Sequence, residues 1–194
     1  APEPALRAPA RSAARGDVTV LLVEDDPAKY DVQFWLDYFK RVHAEAACLS
    51  AGGCVAYYPT EVPFHHRSAW LGDRDAFGEL YEGCRKQGML ILARTDPHAT
   101  YQDVHDAHPD WIAVDAAGQP RRHWASPEMW VTCGLGPYNF EFMTEVKKEI
   151  MARYKVDAIF INRWDGSGMC YCAHCQQQFR DATGYPLPRT NNAQ

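Results

Sequence analysis

The sequence predicts an α/β fold, a partial (β/α)8 TIM barrel of about four βα units, and three observations lead to this prediction. Four short apolar runs alternate along the chain with amphipathic segments, a pattern typical of parallel strands covered by helices. The apolar runs do not alternate with polar residues, as expected for strands buried on both faces. With 194 residues, the chain is also shorter than the ~250 residues typical of a complete eight-stranded barrel.

The first two βα units each combine a predicted buried strand with an amphipathic helix. Residues 18–23 are continuously apolar and rich in β-branched side chains, and residues 46–49 form a short second strand closed by a turn at 50–53. Asp75 at the start of the second helix and Gly88 just past its end match the preferences of helix termini. The apolar positions recur at helical spacing in both helices: Val32, Trp35, Leu36, Phe39 and Val42, then Phe77, Leu80, Tyr81 and Cys84.

Two further units complete the predicted pattern. Residues 89–93 and 156–161 are the third and fourth buried strands. Between them, residues 99–136 are irregular apart from a short helix over 101–107, and a last helix spans 173–183. The helix that precedes the fourth strand has these apolar positions: Met143, Val146, Ile150, Met151 and Tyr154. Long connections between the strands and the following helices favour half of a barrel over a doubly wound sheet.

Composition sets the domain organisation and excludes two classes of protein. Residues 1–16 are rich in Ala, Pro and Arg without apolar periodicity, so we predict a disordered leader or linker, followed by half a barrel over 17–194. No stretch approaches the ~18–20 consecutive apolar residues of a membrane span. The formal charge of −5 and the absence of a Lys/Arg stripe argue against nucleic acid as a ligand.

The most specific motif is a C-x-C-x2-C cluster of Cys170, Cys172 and Cys175. Three neighbouring thiols can converge on one soft cation, and tetrahedral Zn²⁺ requires a fourth ligand, for which Cys133 and His174 are the candidates. The alternative is a set of buried or disulfide-bonded cysteines. The odd total of seven cysteines and the C-x-C spacing weigh against it. We therefore predict a cysteine-rich loop that binds zinc.

Polar side chains cluster directly after the predicted strands, where parallel α/β folds bind their ligands. Carboxylates, His and Arg commonly hydrogen-bond sugar hydroxyls, while aromatic rings stack on the apolar face of a sugar. Each residue taken singly is equally typical of a solvated loop, but together they favour a site. The polar residues are Glu24, Asp25, Asp26, Tyr58, His65, His66, Arg67, Arg94, Asp96, His98, Asn162, Arg163 and Asp165, and the tryptophans of the same loops are Trp70, Trp124, Trp130 and Trp164.

Seven segments spread over most of the chain carry a resemblance to a known family. They are YPT at 58–60, PFHHRS at 63–68, LGDRD at 71–75, ARTD at 93–96, HPDW at 108–111, DAIFIN at 157–162 and CYCAHCQQQF at 170–179. Together they resemble the N-terminal half of the barrel in the hypothetical glycosyl hydrolase 6 family, relatives of the family 42 β-galactosidases. In family 42 enzymes a similar C-Y-C-x-x-C segment and a preceding cysteine form a structural zinc site. The resemblance implies that Cys133 joins Cys170, Cys172 and Cys175 as the fourth ligand.

The resemblance also bears on catalysis. Family 42 enzymes carry Asn-Glu after the fourth strand, with the Glu as general acid/base, whereas the matching pair here is Asn162-Arg163. The acid/base therefore does not carry over, and Asp165 and Asp96 are the carboxylates that we predict to take part in catalysis. The predicted substrate-binding residues are Asn162, His98, Arg94, Trp164, His65, His66 and Tyr58.

The predicted function is that of a glycoside-hydrolase-like protein that hydrolyses O-glycosidic bonds, in a galactosidase-like manner. The alternative is a non-catalytic carbohydrate-binding or scaffold barrel that has lost its acid/base. A zinc-ribbon interaction module is a weaker third reading, because one zinc cluster does not explain four apolar strands. Half a barrel leaves two unpaired strand edges, so we expect association of the isolated chain and a homo-oligomer of the full-length protein.

Overall fold

A four-stranded parallel sheet forms the centre of the fold. The computed structural model describes residues 20–23, 31–162 and 168–189. The sheet strands are β1 (Val20–Val23), β2 (Ala46–Gly53), β3 (Leu90–Asp96) and β6 (Ala158–Ile161), and the remaining two are β4 (Ala99–Thr100) and β5 (Trp130–Val131). The strands of the sheet are neighbours in chain order, β1-β2-β3-β6, and all three pairings are parallel. The predicted α/β fold with a parallel sheet is thereby confirmed.

Five α-helices follow the pattern predicted from apolar periodicity. They are α1 (Val32–Arg41), α2 (Ala76–Lys86), α3 (Gln102–Ala107), α4 (Met143–Tyr154) and α5 (Ala173–Thr183). The Asp75 carboxylate caps α2 by accepting a hydrogen bond of 2.7 Å from the Gly78 amide, as predicted. Asp31 caps α1 in the same way. Gly184 ends α5 in the left-handed conformation. None of the described helices is long and apolar enough to cross a membrane.

The helices α1, α2 and α4 pack on a single face of the sheet. One hydrophobic cluster joins apolar side chains of the three helices to alternate residues of β2 and β3, namely Ala47, Leu49, Ile91 and Ala93. Because side chains of a strand alternate between faces, the opposite face carries Leu90, Leu92 and Arg94 of β3. A doubly wound sheet has helices on both faces, whereas the described helices of the main cluster lie on one face of this sheet.

The strands differ from the prediction in length and in burial. Strand β2 continues to Gly53 through an irregularity between Ser50 and Gly52, and β3 continues to Asp96, because these residues pair with one another. Strand β6 was predicted to be buried, and this is wrong: Phe160 is 42% exposed. The reason is that β6 is an edge of the sheet and no other described element covers its outer side.

The connection between β3 and α4 is a long insertion with its own small sheet. Strands β4 and β5 pair antiparallel, and α3 and a 3-10 turn at Pro109–Trp111 lie between them in the sequence. A π-helical turn over Tyr138–Phe142 leads into α4. A second hydrophobic cluster joins Ala113, Val131 and Cys133 of this insertion to three cysteines that follow β6 in the sequence. The insertion therefore brings side chains from distant parts of the sequence to the carboxyl end of the sheet.

Candidate functional site

The Asp96 carboxylate is held by two hydrogen bonds and an ion pair at the carboxyl end of the sheet. A terminal nitrogen of the Arg94 guanidinium donates to Oδ1 at 3.2 Å, and Arg94 Nε forms an ion-pair contact with Oδ2 at 3.0 Å. Asn162 Nδ2 donates to Oδ1 at 2.5 Å. Asn162 comes directly after β6, and its backbone amide continues the ladder by donating to the Thr95 carbonyl at 2.9 Å. Parallel pairing of β3 with β6 thus brings the three predicted residues Arg94, Asp96 and Asn162 together.

The Asp96 carboxylate retains capacity to bind a ligand. An ionised carboxylate offers about four acceptor positions, and hydrogen bonds from Arg94 and Asn162 occupy two of them, both on Oδ1. The side chain is 21% exposed, so a hydroxyl group from solution can reach it. A donor such as a sugar hydroxyl fits this position, whereas a group that only accepts hydrogen bonds does not.

A cavity of about 270 Å³ opens beside Asp96 and is lined by Arg94, His98, Cys54 and His123 among others. The Cys54 thiol donates to the Asp96 carbonyl oxygen at 2.9 Å, and its sulfur lies 3.7 Å from His98 Nδ1. Burial raises the pKa of Cys54 to about 12. Cys54 therefore stays a neutral thiol at physiological pH and lacks the thiolate that a cysteine nucleophile needs.

Gly53 lies against the backbone of Asp96. Its φ is +114°, and a Cβ at this position would lie 2.4 Å from both the amide nitrogen and the carbonyl oxygen of Asp96. The neighbouring Cys54 amide donates to that carbonyl oxygen at 2.7 Å. Only glycine permits this approach, which fixes the backbone from which the Asp96 side chain projects.

Tyr58 and His65, both predicted to bind substrate, lie in a separate polar network centred on Glu149 of α4. The Tyr58 hydroxyl and the Thr60 hydroxyl each donate to Glu149 Oε2 at 2.7 Å. His65 Nε2 accepts from the Gly53 amide at 3.2 Å, so its proton lies on Nδ1, which donates to the Thr60 hydroxyl at 3.1 Å. Burial lowers the pKa of His65 to about 4, and the ring is neutral at physiological pH. The network contacts the Gly53 amide through the His65 ring, and its side chains are not among those that line the cavity.

The remaining predicted residues are His66, Trp164 and Asp165. His66 Nε2 lies 2.9 Å from a carboxylate oxygen of Asp103, and the pair is at the surface, outside the cavity. Trp164 and Asp165 lie outside the described residues. The structure therefore brings together Arg94, Asp96, His98 and Asn162 from the predicted set.

Four buried cysteines form a group that can hold a metal ion. The sulfur atoms of Cys133, Cys170, Cys172 and Cys175 all lie within 4.8 Å of one another, and none of the four is in a disulfide. Cys133 Sγ is 3.5 Å from Cys172 Sγ and 3.4 Å from Cys175 Sγ. Sulfurs around a tetrahedral ion with bonds of ~2.3 Å are separated by roughly 3.8 Å, so the spacing fits such an ion.

The surroundings of the cysteines also fit a metal. The amide of Val114 donates to Cys170 Sγ at 3.3 Å, which is the kind of outer hydrogen bond that stabilises a thiolate ligand. Hydrogen bonds from Cys133 and the other thiols lower the pKa of Cys170. His174, the other candidate for the fourth ligand, instead has Nε2 3.8 Å from an Asp110 oxygen. The geometry therefore favours Cys133.

Comparison with known sequences decides the family. The profile of the hypothetical glycosyl hydrolase 6 family matches residues 31–163, which is more than half of the chain. The chain belongs to the hypothetical glycosyl hydrolase 6 family. The resemblance identified from the sequence is confirmed, and the matched range includes Arg94, Asp96, His98 and Asn162. No curated protein sequence matches the chain.

Solved structures similar to this member of the hypothetical glycosyl hydrolase 6 family share its fold. Alpha-L-fucosidase isoenzyme 2 from Paenibacillus thiaminolyticus matches with a TM-score of 0.61 at 20% identity, over 87% of this chain and 25% of the fucosidase. A noncanonic maltogenic alpha-amylase from Thermotoga neapolitana gives 0.53 at 12% identity, over 85% and 42%. A hypothetical protein from Ruminiclostridium thermocellum gives 0.55 at 11% identity, over 74% of each chain. The chain thus spans a quarter of the fucosidase and under half of the amylase.

The sequence analysis missed two residues of the candidate site around Asp96. Cys54 had no interpretable context, and His123 was not singled out, yet both line the cavity beside Asp96. His123 reaches the site because it lies in the β3–α4 insertion, and Cys54 because it lies in the bend after β2. No spacing of residues in the sequence links either of them to Asp96. Only the register between Gly53 and Asp96 could have suggested Cys54.

Proposed function

We propose that this chain is the N-terminal part of a carbohydrate-acting hydrolase built on a (β/α)8 barrel, and that it cleaves O-glycosidic bonds. Membership of a glycosyl hydrolase family supports the reaction class. Parallel strands in chain order, with helices on one face of the sheet, support the barrel. The domain assignment of 17–194 to half a barrel, and a homo-oligomeric full-length protein, are parts of the same proposal.

The observation that carries the proposal is the Asp96 carboxylate at the opening of the cavity. Barrel enzymes carry their chemistry on the residues that follow the strands, and Asp96 ends the inner strand β3. Contacts with Arg94 and Asn162 hold the carboxylate in place and leave it able to accept a hydrogen bond from a sugar hydroxyl. Hydrolysis of a glycoside requires two carboxylates, and we propose Asp165 as the second. A galactosidase-like specificity belongs to this proposal.

We propose that the four cysteines hold a structural zinc ion. Zn²⁺ favours four thiolates in a tetrahedral arrangement, and four thiolates leave no open position for a reactive water. Cys133 belongs to the β3–α4 insertion, whereas Cys170 and Cys172 lie between β6 and α5, and Cys175 lies in the first turn of α5. The ion would therefore join the two loops next to the Asp96 cavity without taking part in the reaction.

A non-catalytic carbohydrate-binding barrel is the second candidate. The observation that favours it is Arg163, which follows Asn162 where the family 42 enzymes have their acid/base Glu. In that case Asp96 and His98 would bind sugar hydroxyls, and no bond would be cleaved. Hydrolysis measured separately from binding distinguishes the two functions.

The test uses Asp96→Asn, with Asp37→Asn as the matched control on the exposed surface of α1. Hydrolysis is measured on aryl galactosides, fucosides and glucosides of both anomeric forms, and binding is measured by calorimetry with the methyl glycosides. We expect Asp96→Asn to lower kcat/KM by about 100-fold or more, while the control retains wild-type values. Sugar binding without turnover in the wild type would support the non-catalytic barrel. Wild-type turnover and affinity in Asp96→Asn would refute the assignment of the site.

A further inference from the structure

An exposed tryptophan stands next to the cavity of Asp96. The Trp124 side chain is 60% exposed. Its ring centre lies 4.0 Å from that of His123, with 35° between the planes, and 5.8 Å from that of His98, with 30° between the planes. Both histidines line the cavity. The indole therefore extends the cavity wall outwards as a flat apolar surface.

The protein holds this indole in place through its neighbours. His123 is buried, its amide donates to the Met129 carbonyl at 3.0 Å, and its Nδ1 accepts from the Ser126 amide at 3.1 Å. His98 comes immediately before β4, and its carbonyl accepts from the Thr132 amide at 3.2 Å. A side chain packed on two anchored rings loses little freedom when a ligand binds, which favours affinity.

Other tryptophans in the described loops are unsuited to the same role. The Trp130 ring has the Arg122 guanidinium 3.4 Å from its centre and the His105 ring stacked at 4.0 Å, so both faces are covered. The Trp111 ring is stacked on His108 at 3.9 Å. Trp70 is 74% exposed, but it lies in the 3-10 turn at Ala69–Leu71, and none of the ring contacts among the described residues joins it to His98 or His123 as ring contacts join Trp124.

We propose that Trp124 is the stacking platform for a single terminal pyranose ring whose hydroxyls bind Asp96 and His98. The inference rests on the proposed carbohydrate function and adds the class of substrate. A cavity of about 270 Å³ is slightly smaller than the ~300–1,000 Å³ of typical ligand sites, and this size suits one ring.

The Trp124 indole on one side and Asp96 and His98 on the other determine which kind of sugar fits. A ring that stacks needs one face made of C–H groups, and an axial hydroxyl turned to the opposite face leaves such a face uninterrupted. Asp96 accepts hydrogen bonds, and His98 can donate or accept, so hydroxyls on the opposite edge of the ring are matched. A galacto-configured ring, or its 6-deoxy counterpart fucose, satisfies both conditions. An all-equatorial glucose ring also presents a C–H face for stacking, but it lacks the axial hydroxyl that a galacto-configured ring turns away from the indole, and so it presents a weaker match to Asp96 and His98.

The test compares Trp124→Ala and Trp124→Phe with Trp70→Ala, the control for loss of an exposed tryptophan. Binding of methyl galactopyranosides, methyl fucopyranosides and methyl glucopyranosides is measured by calorimetry and by saturation-transfer NMR. We expect Trp124→Ala to weaken binding about tenfold or more, Trp124→Phe to retain most of it, and Trp70→Ala to leave it unchanged. The NMR signal in the wild type should be strongest for the C–H protons of one face of the ring.

Three outcomes would overturn the inference, and they are distinguishable. If the wild type binds sugar, Asp96→Asn weakens that binding and Trp124→Ala does not, the platform is wrong and the proposed function stands. If a disaccharide binds more than about tenfold tighter than its terminal methyl glycoside, the restriction to a single ring is wrong. If the wild type binds none of these sugars, the proposed function itself is refuted and the platform with it. Circular dichroism of each variant verifies that the fold is retained.

Discussion

Substituting Gly53 by alanine should disrupt the site and destabilise the protein together. A Cβ at position 53 would lie 2.4 Å from the Asp96 amide nitrogen and from its carbonyl oxygen, and backbone atoms cannot move aside as a flexible side chain can. The φ of +114° adds strain for any residue with a Cβ, which costs about 1–3 kcal/mol. Overpacking a buried contact costs about 1–3 kcal/mol more. We therefore expect the free energy of unfolding to fall by about 2–6 kcal/mol.

Gly118→Ala is the matched control, because Gly118 has a φ of +86° and nothing within 4 Å of its would-be Cβ. It carries the conformational strain without the clash, and it also reduces the freedom of the unfolded chain, so its loss should stay below about 2 kcal/mol. Urea unfolding followed by tryptophan fluorescence measures both variants, and sugar binding is measured on the folded fraction. Equal losses of stability in the two variants would refute the close approach of Gly53 to Asp96.

Three other predictions concern the metal, pH and association. The purified protein should contain one zinc ion per chain, which Cys172→Ser loses and Cys84→Ala retains; metal-free wild type with reactive thiols at all four cluster positions would disprove the site. Because burial lowers the pKa of His65 from 6.5 to about 4, the unfolded chain binds a proton at higher pH than the folded one. Stability should be complete above pH 6.5 and fall by about 3 kcal/mol towards pH 4, and His65→Gln should flatten that part of the profile. Light scattering should show association that increases with concentration and decreases in Phe160→Lys on the exposed β6 edge; a monomer at every concentration would contradict it.

Periodicity predicted the elements well because it is a local property of the sequence. The helices and the parallel sheet agree with the prediction, and α1, α2 and α4 pack their predicted apolar faces into the main hydrophobic cluster. The exception within α4 is Met151, which was assigned to the apolar face and is exposed. Strand ends were predicted less well, because Ser50 to Gly53 look like a turn in sequence but pair with the end of β3.

In the candidate site, too, features set by residues close in sequence were predictable, and features set by distant residues were not. Cys170, Cys172 and Cys175 are close in sequence, so their convergence was predictable, and the family resemblance supplied Cys133. Histidine is a residue type that binds sugars, but both ring nitrogens of His65 are already hydrogen-bonded, one to Gly53 and the other to Thr60. No spacing in the sequence indicates that, because the partners are fixed by tertiary packing.

The four-cysteine cluster has a consequence for how the site is assembled. With a metal bound as proposed, the chain between Cys133 and Cys170 becomes a closed loop that contains α4, β6 and Asn162. Closing a loop removes conformational entropy from the unfolded chain, in the manner of a disulfide cross-link. Strand β6 is an edge of the sheet, and much of its surface faces solvent. The bound ion would therefore favour the docking of β6 and the contact of Asn162 with Asp96, so loss of the metal should weaken carbohydrate binding at a cavity whose lining includes none of the four cysteines.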